Sequence, residues 1–295
     1  MKYTNKFNLD RTVVEVLQHD DYDYNYDPKV ISATALISPA RQVALKRLHY
    51  DELSVDVSDL IASRYGTAIH AAFENIKLTD CIQEQRLKAE FDNFTLSGKF
   101  DILRREGIFY RLIDIKSTSV WKLIMGDYDQ YIKQLSIYRY LCVENGYDTM
   151  QEAYIYFFFT DWQKRKAKED PEYPQLRFHK LELKLWTIEE TKKFIIDRYN
   201  KITIAEQLIK DGKESDIETT TEELWQRPDK FAVMKGKQKR AVKLYDSKLK
   251  AEAHIGEDKG YHIDIRKEVA KRCSYCACTR FCGLYDRLKK EDRVE

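Results

Sequence analysis

In Ile113-Asp114-Ile115-Lys116 an acid and a base alternate with two β-branched apolar residues. A strand sends alternate side chains to opposite faces, so Asp114 and Lys116 share one face and the isoleucines the other. Upstream, Lys99 and Asp101 alternate with Phe100 and Ile102, and Arg104-Arg105-Glu106-Gly107 reads as a turn between the two stretches. Folding the chain about that turn sets Asp101 opposite Asp114. Two facing carboxylates repel each other unless a cation lies between them. A hard divalent ion with oxygen ligands, Mg²⁺ or Mn²⁺, is the expected occupant. Lys116, on the same face, would orient or activate a water and stabilise charge on a phosphate. The plainer alternative is a solvated face of a half-buried strand.

Two further segments place polar groups at helical spacing. Gly66, His70 and Glu74 recur every four residues along one shoulder of an apolar stripe, which lets His70 reach a metal at a sheet edge. Gln134 and Tyr138 share one helical face, suited to binding a phosphate or holding Lys116. Four of the six cysteines crowd into Cys273-x2-Cys276-x-Cys278-x3-Cys282. Disulfide frameworks spread their cysteines, so this spacing reads as thiolate ligation of a metal in a reducing compartment. Lys235 to Lys243 holds five cations, Lys237, Lys239 and Arg240 among them, and no acid. With Trp225 and Phe231 upstream it could grip a phosphate backbone while the aromatics stack on bases, or it is simply a basic turn between strands.

The elements that must position these groups follow from periodicity. An apolar stripe from Val57 to Ile76 marks a helix, after a shorter one over 32–49 interrupted near Pro39. Strands are expected at 82–91, 95–103 and 109–117, a helix at 129–145, and strands at 153–160 and 176–185 around a charged linker, 163–171. Thr187 and Glu190 form a capping box for a long helix to about residue 209. Helices on a small sheet in this order mean a mixed α/β core. We divide the chain into an acidic, tyrosine-rich segment (1–30), a core (31–210), a basic appendage (211–262) and a cysteine segment (263–295).

Composition bounds the function. The net charge of the 295-residue chain is only +2, so any basic surface is local. A hydrophobic content of 43% is enough for a sizeable core and excludes global disorder. No apolar run reaches the roughly 20 residues of a membrane span, and no signal peptide is legible, so a cytoplasmic protein without membrane partners is expected.

Together, Gly66-Thr67-Ala68-Ile69-His70, Gly98-Lys99-Phe100-Asp101, Asp114-Ile115-Lys116-Ser117 and Gln134-x-x-x-Tyr138 resemble the RecB-type branch of the PD-(D/E)xK nuclease superfamily. The likeness extends to the CRISPR-associated exonucleases of that branch and to related phage proteins, for which the location would be the host cytoplasm. It covers residues 32–160 and the cysteine cluster. The resemblance implies a restriction-endonuclease-like mixed sheet flanked by helices. It implies metal ligation by His70, Asp101 and Asp114, with the Ile115 carbonyl in addition, a catalytic Lys116, and Gln134 and Tyr138 against DNA. Glu84 would match an acidic residue that the family often carries one strand earlier.

Without Cys278, the cluster resembles the C-terminal cysteine triplet of the iron–sulfur members, whose fourth ligand is a cysteine before the histidine motif. Here that region reads Ile37-Ser38-Pro39. Either Cys278 completes the site, or Ser38 or another group substitutes, or the metal is zinc. A 4Fe–4S cluster is expected, with Zn²⁺ as the alternative. The function so implied is Mg²⁺- or Mn²⁺-dependent hydrolysis of single- or double-stranded DNA by an exonuclease of recombination, repair or replication, with a helicase or recombination protein as partner. The alternatives are a non-catalytic DNA-binding or helicase-adaptor module with the same fold, and a zinc-knuckle RNA-binding protein.

Overall fold

The alternation around Asp114 does form a strand, and the computed structural model, which describes residues 2–19, 27–256 and 260–294, shows what surrounds it. Most of the tyrosine-rich patch of the first thirty residues lies outside the described residues. The chain divides into two compact units, residues 1–38 with 54–201, and residues 39–53 with 202–295. In chain order the elements begin with β1 (Lys2–Thr4), α1 (Arg11–Gln18), β2 (Val30–Ser32), α2 (Ala33–Leu36), α3 (Ala40–Leu48), β3 (Ser54–Asp56) and α4 (Ile61–Glu74). There follow β4 (Cys81–Gln83), β5 (Arg86–Phe91), β6 (Phe94–Lys99), β7 (Ile102–Glu106) and β8 (Phe109–Thr118). Next come α5 (Val120–Met125), α6 (Asp129–Glu144), β9 (Glu152–Phe159), α7 (Lys164–Glu169), β10 (Phe178–Lys184) and α8 (Ile188–Lys210). The chain ends with β11 (Lys230–Lys235), β12 (Lys243–Tyr245), α9 (Lys248–Ile255), β13 (Tyr261–Arg266) and α10 (Gly283–Lys290).

The first unit is built on a mixed sheet in the order β10-β9-β8-β7-β4, in which β8 and β9 run parallel and the other neighbours antiparallel. Ile102, Ile113 and Ile115 form an apolar patch on one face, covered by Ile69 and Phe73 of α4. The other side meets α6, a helix with seven buried residues from Leu135 to Cys142. A mixed sheet flanked by helices is therefore present, as the element order implies.

Two expected strands are each broken in the middle. Residues 82–91 divide into β4 and β5, and 95–103 into β6 and β7, because the hairpin passes from one sheet to another. The three-stranded sheet β2-β6-β5 pairs Arg86 with Lys99, and the five-stranded sheet pairs Gln83 with Ile102. Register is thus the same on both sides of the break. At the break itself Glu84 faces Asp101, and the Glu84 N–H donates to the Asp101 carbonyl at 2.8 Å. The bend is taken up by Glu84, whose φ of 51° lies in the left-handed region. The charged linker also differs from expectation, since residues 164–169 close into α7. The capping box is as read: Thr187 N–H donates to Glu190 and Glu190 N–H to Thr187.

In the second unit β11 sits between β12 and β13 in an antiparallel sheet against which α9 packs. Arg41 of α3, only 5% exposed, pairs with Glu214 and donates to the Ile217 carbonyl and Thr219 hydroxyl. Among the described residues no helix is long and apolar enough to cross a membrane.

Candidate metal and catalytic site

Three adjacent strand positions carry a row of carboxylates. The break in the hairpin sets Glu84 against Asp101, and the register of β7 on β8, Ile102 opposite Ile113, extends by one residue to set Asp101 against Asp114. The turn is tighter than expected, since Arg104 to Glu106 belong to β7 and the chain reverses at residues 107–108, and this register sets the two aspartates opposite each other. The third carboxylate comes from the break beside β4. Asp114 is 2% and Asp101 9% exposed, so water screens neither well.

Burial first, and the Asp114 charge second, push Asp101 up to about 7. One of its oxygens accepts the Ile115 N–H at 2.6 Å, and the other lies 3.7 Å from His70 Nδ1. His70 Nδ1 also stands 3.4 Å from Glu84 Oε1. The bond to Glu84, with the Asp101 charge behind it, raises the His70 pKa. Burial works against the Glu84 charge, but His70 and Lys99, whose Nζ is 2.8 Å from Glu84 Oε2, outweigh it and lower that pKa. Lys99 thus serves the carboxylate row, with Glu74 3.7 Å away on its other side.

Lys116 holds the far end of the row. Its Nζ lies 2.9 Å from Asp114 Oδ1 and 2.7 Å from Oδ2. Burial opposes its charge, yet the Asp114 and Asp101 carboxylates raise its pKa, so the lysine is cationic. No donor meets Asp114 Oδ2 in hydrogen-bond geometry, which leaves a buried anionic oxygen with charge contact alone. Tyr138, buried on α6, has its pKa raised by burial and then by Asp114, and its hydroxyl accepts from Gln134 Nε2 at 3.0 Å. Gly98 lets α6 this close, because a Cβ there would stand 2.7 Å from Leu141 Cδ1 and 3.0 Å from Tyr138 Cε1.

His70, Glu84 and Asp101 each offer a ligand atom, and all three atoms lie within 4.8 Å of one another, the one such group of three or more among the described residues. Octahedral oxygen and nitrogen ligands at about 2.1 Å stand roughly 3 to 4 Å apart, so the group suits a hard divalent ion. The raised Asp101 pKa points the same way, since burial and the neighbouring Asp114 charge disfavour its ionised form until a further cation offsets them. Of the four sequence-derived ligands, His70 and Asp101 belong to the group. Asp114 adjoins it through Asp101 but is held by Lys116, and Ile115 meets it through its N–H rather than its carbonyl. Glu84 enters as the third member.

The remaining sequence-derived residues lie in the second unit. Lys237, Lys239 and Arg240 are exposed in the turn between β11 and β12. The adjacent Cys278, with Arg272 nearby, lowers Cys276 to about 7, and the Cys278 thiol donates to the Gln42 carbonyl at 3.9 Å. Cys278 is buried against Leu45 and Leu53, and Cys273 packs on the Leu224–Ala270–Leu284–Leu288 cluster, so the four sulfurs expected to share a metal do not gather: no three lie within 4.8 Å of one another.

The family model described as "PD-(D/E)XK nuclease superfamily" matches residues 75–283. No curated protein matches the chain. Among solved structures, "SSO0001" is 16% identical with a TM-score of 0.43, covering 64% of this chain and 81% of that one. "LHK-Exo in complex with dAMP" is 14% identical with a TM-score of 0.33, covering 62% of this chain and 96% of that one.

Proposed function

The chain belongs to the PD-(D/E)XK nuclease superfamily, which implies a metal-dependent nuclease, and on that premise we propose that it is a Mg²⁺- or Mn²⁺-dependent exonuclease acting on DNA in recombination, repair or replication. The observation that carries this reading is the row Glu84–Asp101–Asp114, closed by His70 at one end and Lys116 at the other. The order of its motifs along the chain supports placement in the RecB-type branch and among its phage members.

His70, Glu84 and Asp101 would hold the ion, and Asp114, beside Asp101, would add negative charge to the same site. When bound, the ion lowers the pKa of a coordinated water and offsets charge on the scissile phosphate. The Ile115 N–H fixes the Asp101 carboxylate in place before substrate arrives. Lys116, kept cationic by its two carboxylate neighbours, sets a positive charge beside the reacting phosphoryl group. Gln134 and Tyr138 flank that position and would contact the DNA backbone, while Lys237, Lys239 and Arg240 supply phosphate contacts from the second unit.

An exonuclease needs an end. On end-labelled linear DNA with Mg²⁺, labelled mononucleotides or short oligonucleotides should appear from the first time point, while covalently closed circles should persist. Circles cut as fast as linear DNA would make the protein an endonuclease.

For the cysteine segment we propose a structural metal, a 4Fe–4S cluster or Zn²⁺, held by Cys273, Cys276, Cys278 and Cys282. Cys276 alone is lowered, to about 7, while Cys273, Cys278 and Cys282 are raised, so the metal itself would have to drive deprotonation of those three. Elemental analysis of anaerobically purified protein should find iron with sulfide, or zinc, near one site per chain. Cys276→Ala should lose it and become more protease-sensitive after about residue 262. A metal-free protein of undiminished stability would refute the ligation.

A further inference from the structure

The second unit carries an aromatic and cationic surface that the cleavage chemistry does not use. Trp225 has a φ of 52°, a left-handed conformation that is strained for a bulky residue and persists only where its surroundings over-determine it. They do so here. Thr220 and Glu223 exchange reciprocal bonds between backbone N–H and side chain, Trp225 N–H donates to the Glu222 carbonyl, and Gln226 N–H to that of Thr221. On the other side Leu224 is buried with Ala270, Leu284 and Leu288, and its carbonyl accepts the Arg272 N–H at 3.1 Å.

All this holds an indole in water rather than in a core. Trp225 is 48% exposed. The Arg272 guanidinium lies 4.2 Å from its ring centroid. Arg272 Nε is buried without a hydrogen-bond partner, which suits a guanidinium positioned for stacking. Tyr275, 79% exposed, sets a second ring 6.2 Å from the first. The two stretches that carry these rings, 225–228 and 271–282, contain Arg227, Lys271, Arg272 and Arg280 and no acid, although Glu222 and Glu223 precede the indole. Adjacent exposed π faces amid cations match a strand whose bases are unpaired and whose backbone is anionic. A duplex keeps its base faces stacked inside and offers them nothing.

We propose that Trp225 and Tyr275 form a base-stacking platform for single-stranded DNA, with Arg272 bracing the indole and the neighbouring cations meeting phosphates. The choice of DNA rests on the nuclease reading above; the platform adds that single strands are the preferred form.

The test is fluorescence anisotropy of labelled oligo(dT), and of a duplex of equal length, with the full chain carrying Asp101→Asn and no added divalent ion, so that nothing is cleaved and any metal on the cysteines is kept. Trp225→Gly and Tyr275→Ala should each weaken oligo(dT) binding about tenfold and duplex binding less than about twofold. Glycine is at ease at positive φ, so Trp225→Gly should keep or raise thermal stability, which separates loss of binding from loss of fold. Parental oligo(dT) affinity in both variants overturns the proposal and leaves the rings as a protein-docking surface. Equal losses on single strand and duplex overturn it too. A parent that cleaves DNA with Mg²⁺ beside variants that bind normally would refute the platform and spare the nuclease. Platform-dependent binding without cleavage by any divalent ion would do the reverse.

Discussion

Lys116→Ala should lower the rate of metal-dependent DNA cleavage by about a thousandfold, the scale expected when a preorganised charge is removed from a transition-state site. The same substitution strands Asp114, 2% exposed, without the ammonium that stands 2.7 Å from it. Removing one partner of a buried pair costs about 3–5 kcal/mol, and the 24% exposure of the lysine side chain puts the expectation at the lower end. Stability and activity can be separated by a second change. Asp114→Asn in the same chain removes the stranded charge, so the double variant should be more stable than Lys116→Ala alone and equally inactive. Thermal unfolding in EDTA and single-turnover cleavage give the two readouts. Cleavage by Lys116→Ala at the parental rate would remove the lysine from the chemistry.

Arg41→Ala should destabilise the second unit by about 3 kcal/mol or more. The guanidinium is 5% exposed and meets Glu214, the Ile217 carbonyl at 2.7 Å and the Thr219 hydroxyl at 3.1 Å. Glu214 in turn accepts the Gly283 N–H at the start of α10. One substitution therefore unpairs three groups within residues 214–219, one of which also anchors the start of α10, and a buried acceptor left without a donor costs more than the bond itself was worth. Arg47→Ala, which removes a half-buried partner of Glu206, is the control and should cost about 1 kcal/mol. Urea denaturation measures both, and hydrogen exchange at residues 214–219 and 283 should rise only in Arg41→Ala. A change under about 0.5 kcal/mol would show that the pair does not hold these segments together.

Why some of this was legible in the sequence and some was not follows from the kind of information each feature needs. Asp114 and Lys116 could be read because period-two alternation is local and β8 is a regular strand. The opposition of Asp101 and Asp114 needed only a turn position, and the capping box of Thr187 and Glu190 needed four residues. The break at Glu84 and Asp101 had no such signal: alternation runs on through it, and a left-handed φ on a glutamate leaves no mark in composition. Glu84 is singled out only through the family resemblance, and its place beside Asp101 follows from register across that break. Arg41 reads as an ordinary exposed arginine on a short helix, so nothing local reveals that residues 39–53 group with 202–295. Trp225 is a mixed case: local bonds among residues 220–226 shape its turn, but the Arg272 N–H on the Leu224 carbonyl comes from a segment far along the chain.

The central claim is that the carboxylate row holds a hydrolytic metal, and the most direct measurement is DNA cleavage by the purified chain with Mg²⁺, with Mn²⁺ and with EDTA, beside Asp101→Asn. Asp101 belongs both to the ligand group and to the aspartate pair, and asparagine keeps its shape while removing the charge. Cleavage should require the ion, stop with EDTA, return when excess metal is added, and fall by at least about a hundredfold in Asp101→Asn. Cleavage that continues in EDTA, or an Asp101→Asn protein that cuts at the parental rate, would contradict the claim.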